Sequence, residues 1–117
     1  MEQLNLVHLR GNVGSVRTSP LAEGRSVSNI AVATNAFTRN QGGTATLETQ
    51  WTNCVMWSNK KFPSPDQITV GIPVEVKGRL RSHHFTGADG MERYNTEVVV
   101  TEIVLLPVGE KLVPPLI

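Results

Sequence analysis

Five segments of the chain have the apolar and polar pattern of β-strands, with alternating or β-branched residues between turn signals. They are 4–11, 26–35, 49–57, 72–82 and 94–106. In the fourth segment Val74, Val76 and Leu80 share one parity, and charged residues occupy the other. One face of this strand is therefore expected to be buried and the other to be wet and net basic. Because no segment keeps a helical period over three turns, the pattern predicts an all-β protein.

The connections between these segments are long, polar and rich in glycine. Residues 13–25 are interpreted as a loop with at most a short extended piece, and 36–48 and 83–93 as long hairpin connections. In residues 58–71, Pro63 and Pro65 predict irregular structure with at most a turn or two of helix. An open sheet would leave edges that so short a chain could not cover. The pattern therefore favours a small five-stranded barrel of the OB or SH3 type over a sandwich.

Length and composition narrow the class of protein. A chain of 117 residues suits one domain, predicted over 1–107, followed by a short and loosely held Pro-rich tail over 108–117. The net charge of +1 gives no global basic field, so any nucleic-acid footprint is expected to be local. Cys54 is the only cysteine, which excludes an intramolecular disulfide and a multi-cysteine metal site.

The chain shows no sign of secretion or membrane insertion. Its N-terminus lacks the basic and apolar layout of a signal peptide. Its apolar stretches, such as 103–108, are far too short to cross a bilayer. We therefore expect a soluble, cytoplasmic protein with no membrane partner.

The third segment, "TQWTNCVMW", holds both tryptophans of the chain, Trp51 and Trp57, on one parity. Cys54 and Met56 lie on the opposite parity and suit a core, whereas Asn53 shares the parity of the tryptophans and does not. The alternative, that both rings pack in the core, is therefore less favoured. An outward pair of tryptophans lowers solubility unless it has a partner, and stacking of nucleic-acid bases supplies one.

Several basic residues are expected beside this aromatic platform. They are Lys77, Arg79 and Arg81 on the outward face of the fourth strand, Arg10 near the end of the first, Arg39 in the first long loop, and Lys60 and Lys61 after Trp57. A positive row next to exposed aromatics is what contact with a phosphate backbone needs, although charged residues are most often ordinary solvated surface. Glu75 and Glu97 interrupt the row, so we expect modest affinity that salt weakens strongly.

The second long hairpin carries Phe85 next to His83 and His84, and its mixture of aromatic and basic residues suits a strand of nucleic acid. Phe62, beside Pro63, is more typical of a local packing anchor. Adjacent histidines on a strand point to opposite faces, so no metal site is predicted. No nucleophile–base pair, phosphate-cradling loop or paired-carboxylate site is present, so neither an enzyme nor a bound cofactor is expected.

The segments "HLRGNVGS", "SNIAVATN", "TQW", "VKGRLR" and "ERYNTEVVV" occur in this order at these spacings. Together, over residues 4–106, they resemble the bacterial single-stranded DNA-binding protein family. The resemblance implies an OB-fold that binds single-stranded DNA without sequence preference, as a homo-oligomer, in replication, repair or recombination. It also implies that bases stack on Trp51, Trp57 and Phe85, with Phe37 as a further aromatic contact.

The chain departs from that family's usual pattern in two places, and both point to a particular kind of relative. Family members usually have a helix between the third and fourth strands, where this chain has "KKFPSPDQ", and they usually end in an acidic tip, where it has "EKLVPPLI". Both features are similar to the primosomal replication protein N, a dimeric relative that acts in replication restart. A dimeric adaptor that binds restart proteins is therefore the alternative to a tetrameric strand-coating protein. A third interpretation is an OB module for RNA or an oligosaccharide.

Overall fold

The computed structural model describes all residues, 1–117, and contains five strands. They are β1 (Val7–Pro20), β2 (Ser26–Arg39), β3 (Ala45–Trp57), β4 (Pro73–Thr86) and β5 (Glu92–Leu105). The only helical pieces are two 3₁₀ turns of three residues each, Ala22–Gly24 and Pro65–Gln67. Neither is long enough to span a membrane. The prediction of an all-β protein is confirmed.

The strands form a closed barrel in the order β1-β2-β3-β5-β4, with β4 pairing back onto β1. All pairs are antiparallel except β3 and β5, which run parallel where Cys54 faces Val98 and Val55 faces Val99. This is the five-stranded OB topology, and its closure removes the sheet edges that an open arrangement would expose. The preference for an OB barrel over a sandwich is confirmed.

The first strand is much longer than predicted, so the interpretation of 13–25 as a loop is wrong for 13–20, and only 21–25 lie outside a strand. Residues 7–12 of β1 pair with β4, and residues 12–20 pair with β2. A bulge between Val13 and Ser15 separates these two stretches. Bulges bend a strand and increase its twist, which is how one strand serves two sides of a barrel. The glycines and serines that indicated a loop instead mark this bend.

The two long connections are hairpins, as predicted, but strand extends far into both of them, so the true loops are only 40–44 and 87–91. β2 and β3 remain paired out to Arg39 and Ala45, and β4 and β5 out to Thr86 and Glu92. We call residues 34–50 the β2–β3 ribbon and residues 81–96 the β4–β5 ribbon. The turns at their tips use Gly43 and Gly90 at φ of 82° and 79°, a conformation that glycine adopts without strain.

The core fills the barrel with aliphatic side chains from all five strands. Its buried members are Val13, Ile30, Val32, Cys54, Met56, Ile68, Val74, Val76, Val98, Val100 and Ile103. The inward direction predicted for Cys54, Met56, Val74 and Val76 is confirmed. Leu80 was predicted to join them and does not, because β4 has left the barrel there and the side chain is exposed. Its backbone N–H and C=O instead pair with the side chain of Asn5, both at 2.8 Å.

Residues 58–71 contain one helical turn in otherwise irregular structure, as predicted. Ile68 is buried in the core, and Phe62 packs against it as the expected local anchor. The chain end is held more closely than its proline content indicated. The Phe37 N–H donates to the Pro115 carbonyl at 2.8 Å, and the Ile117 N–H donates to the Phe37 carbonyl at 2.9 Å. Residues 115–117 therefore lie along the outer edge of the β2–β3 ribbon.

Candidate nucleic-acid interface

The two tryptophans of β3 lie on the outside of the barrel. Trp51 is 58% exposed and Trp57 is 47% exposed, whereas Cys54 and Met56 between them are buried. The outward direction predicted from strand parity is confirmed, and core packing of both rings is excluded. A fully folded barrel thus leaves its two largest apolar side chains half in water.

Arg79 lies on the same outer face as the tryptophans. In register, Val55 of β3 faces Val99 of β5, and Val99 faces Arg79 of β4. Val55 lies on the parity of both tryptophans, so Arg79 is two strand spacings, about 10 Å, from the middle of the aromatic strip. Arg79 is exposed and forms no ion pair. A guanidinium free to bind a phosphate therefore lies beside the rings.

The other two basic residues predicted on the fourth strand are paired with carboxylates. Arg81 donates from Nη2 and Nε to Oε1 of Glu97, at 2.5 and 3.1 Å, and Glu97 itself is buried. Lys77 lies 3.8 Å from Glu102. The basic row exists, but carboxylates already neutralise two of its three cations.

Arg10 is also engaged. Its Nε lies 2.7 Å from Glu75 Oε1, and His8 Nε2 lies 3.2 Å from Glu75 Oε2. Hydrogen bonds from Arg10 and then His8 lower the pKa of Glu75. Glu75 therefore stays charged and compensates Arg10 at neutral pH. Arg10 also borders the clefts between the barrel and the chain end, together with Thr34 and Asn35.

A second basic group gathers around Trp57. Trp57 borders a cleft with Leu21 and Arg25, and Arg25 borders a neighbouring cleft with Lys60. Neither Arg25 nor Lys60 nor Lys61 is ion-paired. Sequence reasoning missed Arg25 because it was assigned to a loop with no predicted neighbour. The only signal was its place just before the strand that pairs with β3.

The β4–β5 ribbon carries aromatic rings on both faces. Phe85 is 45% exposed, with the His83 ring centroid 6.3 Å from its own. On the other face His84 lies directly opposite Tyr94, with centroids 4.5 Å apart. Tyr94 is more exposed than Phe85 and was missed, although it is the only tyrosine in the chain.

The β2–β3 ribbon presents Phe37 and Arg39. Phe37 is 38% exposed, and its backbone is the point where residues 115–117 attach. Arg39 forms no ion pair and donates only to the Gly43 carbonyl, at 3.3 Å. The structure thus brings Trp51, Trp57 and Arg79 onto one face of the barrel and places Phe37, Arg39 and Phe85 on the two ribbons beyond it.

Comparison with known proteins agrees with this geometry. Among solved structures, a Plasmodium falciparum SSB in complex with single-stranded DNA superposes with a TM-score of 0.80, covering 92% of this chain and 98% of that one at 24% identity. The likeness establishes the fold. Among curated proteins, the single-stranded DNA-binding proteins of Xanthomonas axonopodis pv. citri (strain 306) and Xanthomonas campestris pv. campestris are each 28% identical over 104 residues. Those residues are 88% of this chain but only 58% and 60% of the two relatives, so the chain spans about three fifths of their length.

The model of the single-strand binding protein family matches residues 4–106. These residues include the whole barrel and both ribbons. The chain belongs to the single-strand binding protein family.

Proposed function

We propose that this protein binds single-stranded DNA without sequence preference, in DNA replication, repair or restart. The observation that carries the proposal is the pair of half-exposed tryptophans on the outer face of a closed barrel. Every base has a flat π-face, so stacking on exposed rings is indifferent to sequence and worth about 1–3 kcal/mol per base. No base-edge recognition is required of the site.

Three sets of surface residues contact the DNA in this proposal. Trp51 and Trp57 stack bases on the barrel, and Phe85 and Phe37 stack bases on the ribbons. The unpaired cations Arg79, Lys60, Lys61 and Arg39 contact phosphates. Arg10, Lys77 and Arg81 contribute less, because each must first give up a carboxylate. The affinity should fall with salt by about 0.7 log units per phosphate contact for each tenfold rise in concentration.

The protein acts as a homo-oligomer, dimer or tetramer, in this proposal. Leu4 and Leu6, ahead of β1, are 86% and 59% exposed in the isolated chain, and Leu80 is exposed beside them. Contact with a second copy would remove these apolar side chains from water, which favours association. Light scattering with oligo-dT of graded lengths measures the number of copies per strand. A dimer that also captures restart proteins would favour the adaptor alternative.

The decisive experiment combines Trp51→Ala with Trp57→Ala and measures affinity for oligo-dT. We expect a loss of about 30-fold or more, since two stacking contacts are removed at about 1–3 kcal/mol each. Val70→Ala removes an exposed apolar side chain from outside the proposed interface and serves as the matched control. The far-ultraviolet circular dichroism, which reports the strands, and the melting temperature should match the wild type in both variants.

Two results would overturn the proposal. One is a double variant that binds oligo-dT with wild-type affinity, because the rings would then not be the platform. The other is tighter binding of a matched RNA or a glycan than of oligo-dT. In the wild type, tryptophan fluorescence should also be quenched when oligo-dT is added.

A further inference from the structure

We propose that Gly14 is a positioning residue for Trp51: its missing side chain leaves the space in which the indole lies against β1. Only the effect on binding rests on the proposed function. The effect on the ring itself is a property of the free protein.

A Cβ atom at Gly14 would collide with the indole of Trp51. It would lie 2.1 Å from Cζ3 and 2.6 Å from Cη2 of Trp51, and 3.3 Å from Cε3. All three atoms belong to the six-membered half of the indole. The benzene ring therefore occupies the volume that any other residue at position 14 would fill.

The strand register explains how a side chain of β3 reaches β1. Trp51 pairs with Ala33 on the intervening strand β2, and Gly14 is the bulged residue of β1 that faces this part of β2. Ala33 carries a single methyl group, so the indole can extend over β2 without obstruction. The bulge and the small residue together bring the ring onto the main chain of β1.

The backbone does not require glycine at position 14. Gly14 is not among the residues with positive φ, so its conformation is open to other residues. Gly11 and Gly78 are different, because a Cβ there would meet the main-chain oxygens of Ala33 and Val99 at 2.2 and 2.3 Å. At Gly14 the obstacle is a side chain that is able to rotate. The glycine thus serves the ring and not the barrel.

The consequence for binding is preorganisation. One side of the Trp51 indole rests on β1, which restricts its rotamers, and the rest of the ring stays exposed to a base. A ring that is already ordered loses less entropy when a base stacks on it. A methyl group at position 14 would displace the ring from this place and remove that advantage.

The test uses Trp57→Phe as background, so that Trp51 is the only tryptophan. In this background Gly14→Ala should change the near-ultraviolet circular dichroism of Trp51 and speed its fluorescence anisotropy decay in the free protein. Affinity for oligo-dT should fall about 5- to 20-fold, part of the value of one stacked base. Gly42→Ala is the matched control, because a Cβ there would meet only Asn40 Oδ1, at 3.4 Å, and it should change none of these quantities.

A double-mutant cycle with Trp51→Ala separates positioning from a general structural effect. Once Trp51 is removed, Gly14→Ala should cost no further affinity. An equal loss with and without Trp51, or an unchanged Trp51 signal in the free protein, overturns the proposal. Should Gly14→Ala fail to fold, folding restored by Trp51→Ala supports it, and continued failure overturns it. If Trp51→Ala leaves affinity intact, the proposed function is wrong at this ring, and the free-protein spectra still decide the role of Gly14.

Discussion

The barrel uses all five strands and the two ribbons extend four of them, yet barrel and ribbons are held together differently. Inside the barrel, aliphatic side chains from every strand are buried. In the ribbons, residues 34–50 and 81–96, no residue is buried at all. The barrel is therefore stabilised mainly by removing apolar surface from water. Each ribbon depends on its own hydrogen-bond ladder, its cross-strand side-chain pairs and its turn.

This difference separates stability from binding. Side chains that hold the barrel together face inward, and the proposed ligand contacts face outward or lie on the ribbons. A two-stranded ribbon without a buried face is the less stable kind of structure and is the more easily moved by a ligand. Substitutions in the two regions should therefore have opposite profiles, one lowering the free energy of unfolding and the other lowering affinity.

The largest expected difference is in the free energy of unfolding, between Ile30→Ala in the barrel and Leu47→Ala in the β2–β3 ribbon. Ile30 is fully buried, so its truncation should lower the free energy of unfolding by about 2–5 kcal/mol. Leu47 is half exposed, so its truncation should change that free energy by less than about 0.5 kcal/mol. Urea denaturation at one protein concentration measures both. Equal losses would show that the ribbon is as much a part of the folding core as the barrel.

The same contrast decides what the sequence could predict about the fold. Val74 and Val76 alternate with charged residues because one side of β4 faces the core, so parity identified them correctly. In the ribbons both faces meet solvent, alternation has no physical cause, and the strands were interpreted as loops. Leu80 shows the converse error, because the alternation of apolar and charged residues continues along β4 to the edge of the ribbon, beyond the point where the core ends.

The site was predictable where it depends on parity and not where it depends on register. The outward position of Trp51 and Trp57 follows from their neighbours along one strand. The pairing of Arg81 with Glu97 joins residues 16 positions apart, and the contact of Trp51 with Gly14 crosses an intervening strand. Such contacts exist only once the barrel has closed, so no local pattern reports them.

Phe85→Ala tests whether a ribbon residue contributes to binding without contributing to stability. Phe85 is half exposed on the β4–β5 ribbon, so its loss should leave the melting temperature unchanged. Affinity for oligo-dT should fall by about 1–3 kcal/mol, the value of one stacked base. Met91→Ala, at the tip of the same ribbon and also exposed, is the control and should bind as the wild type does. Equal losses in the two variants, measured by fluorescence titration, would mean that the ribbon contributes shape and not stacking.

Glu97→Gln tests the border between the two regions. Glu97 is a buried carboxylate that accepts from Arg81 and lies 3.3 Å from His83 Nδ1. Removing its charge should cost about 1–2 kcal/mol of stability, because the hydrogen bonds that Arg81 donates would then end on a neutral amide oxygen instead of a carboxylate. Affinity for oligo-dT should rise, since Arg81 becomes available to a phosphate and one repulsive charge is gone.

Glu92→Gln is the matched control for that experiment. Glu92 lies on the same strand, β5, is exposed and forms no ion pair, so its substitution changes net charge alone. Chemical denaturation and oligo-dT titration are run on both variants. If the two raise affinity equally, only net charge matters and Arg81 is not restrained by Glu97.

The smallest effect concerns how the two regions shift the pKa values of their titratable groups. In the ribbon turn, hydrogen bonds from the Met91 N–H and then from Arg93 lower the pKa of Asp89. In the barrel, burial raises the pKa of the Cys54 thiol from 9.0 to about 12, so the neutral thiol stabilises the folded state. Because the unfolded chain ionises Cys54 first, this stabilisation is complete below pH 9 and is lost as the pH rises toward 12. Between pH 8 and pH 10 the loss should be about 1.4 kcal/mol, measured as the difference between wild type and Cys54→Ala in urea titrations at the two pH values. Identical pH dependence in the two proteins would mean that water reaches Cys54, and that the barrel interior is not the dry region that separates it from the ribbons.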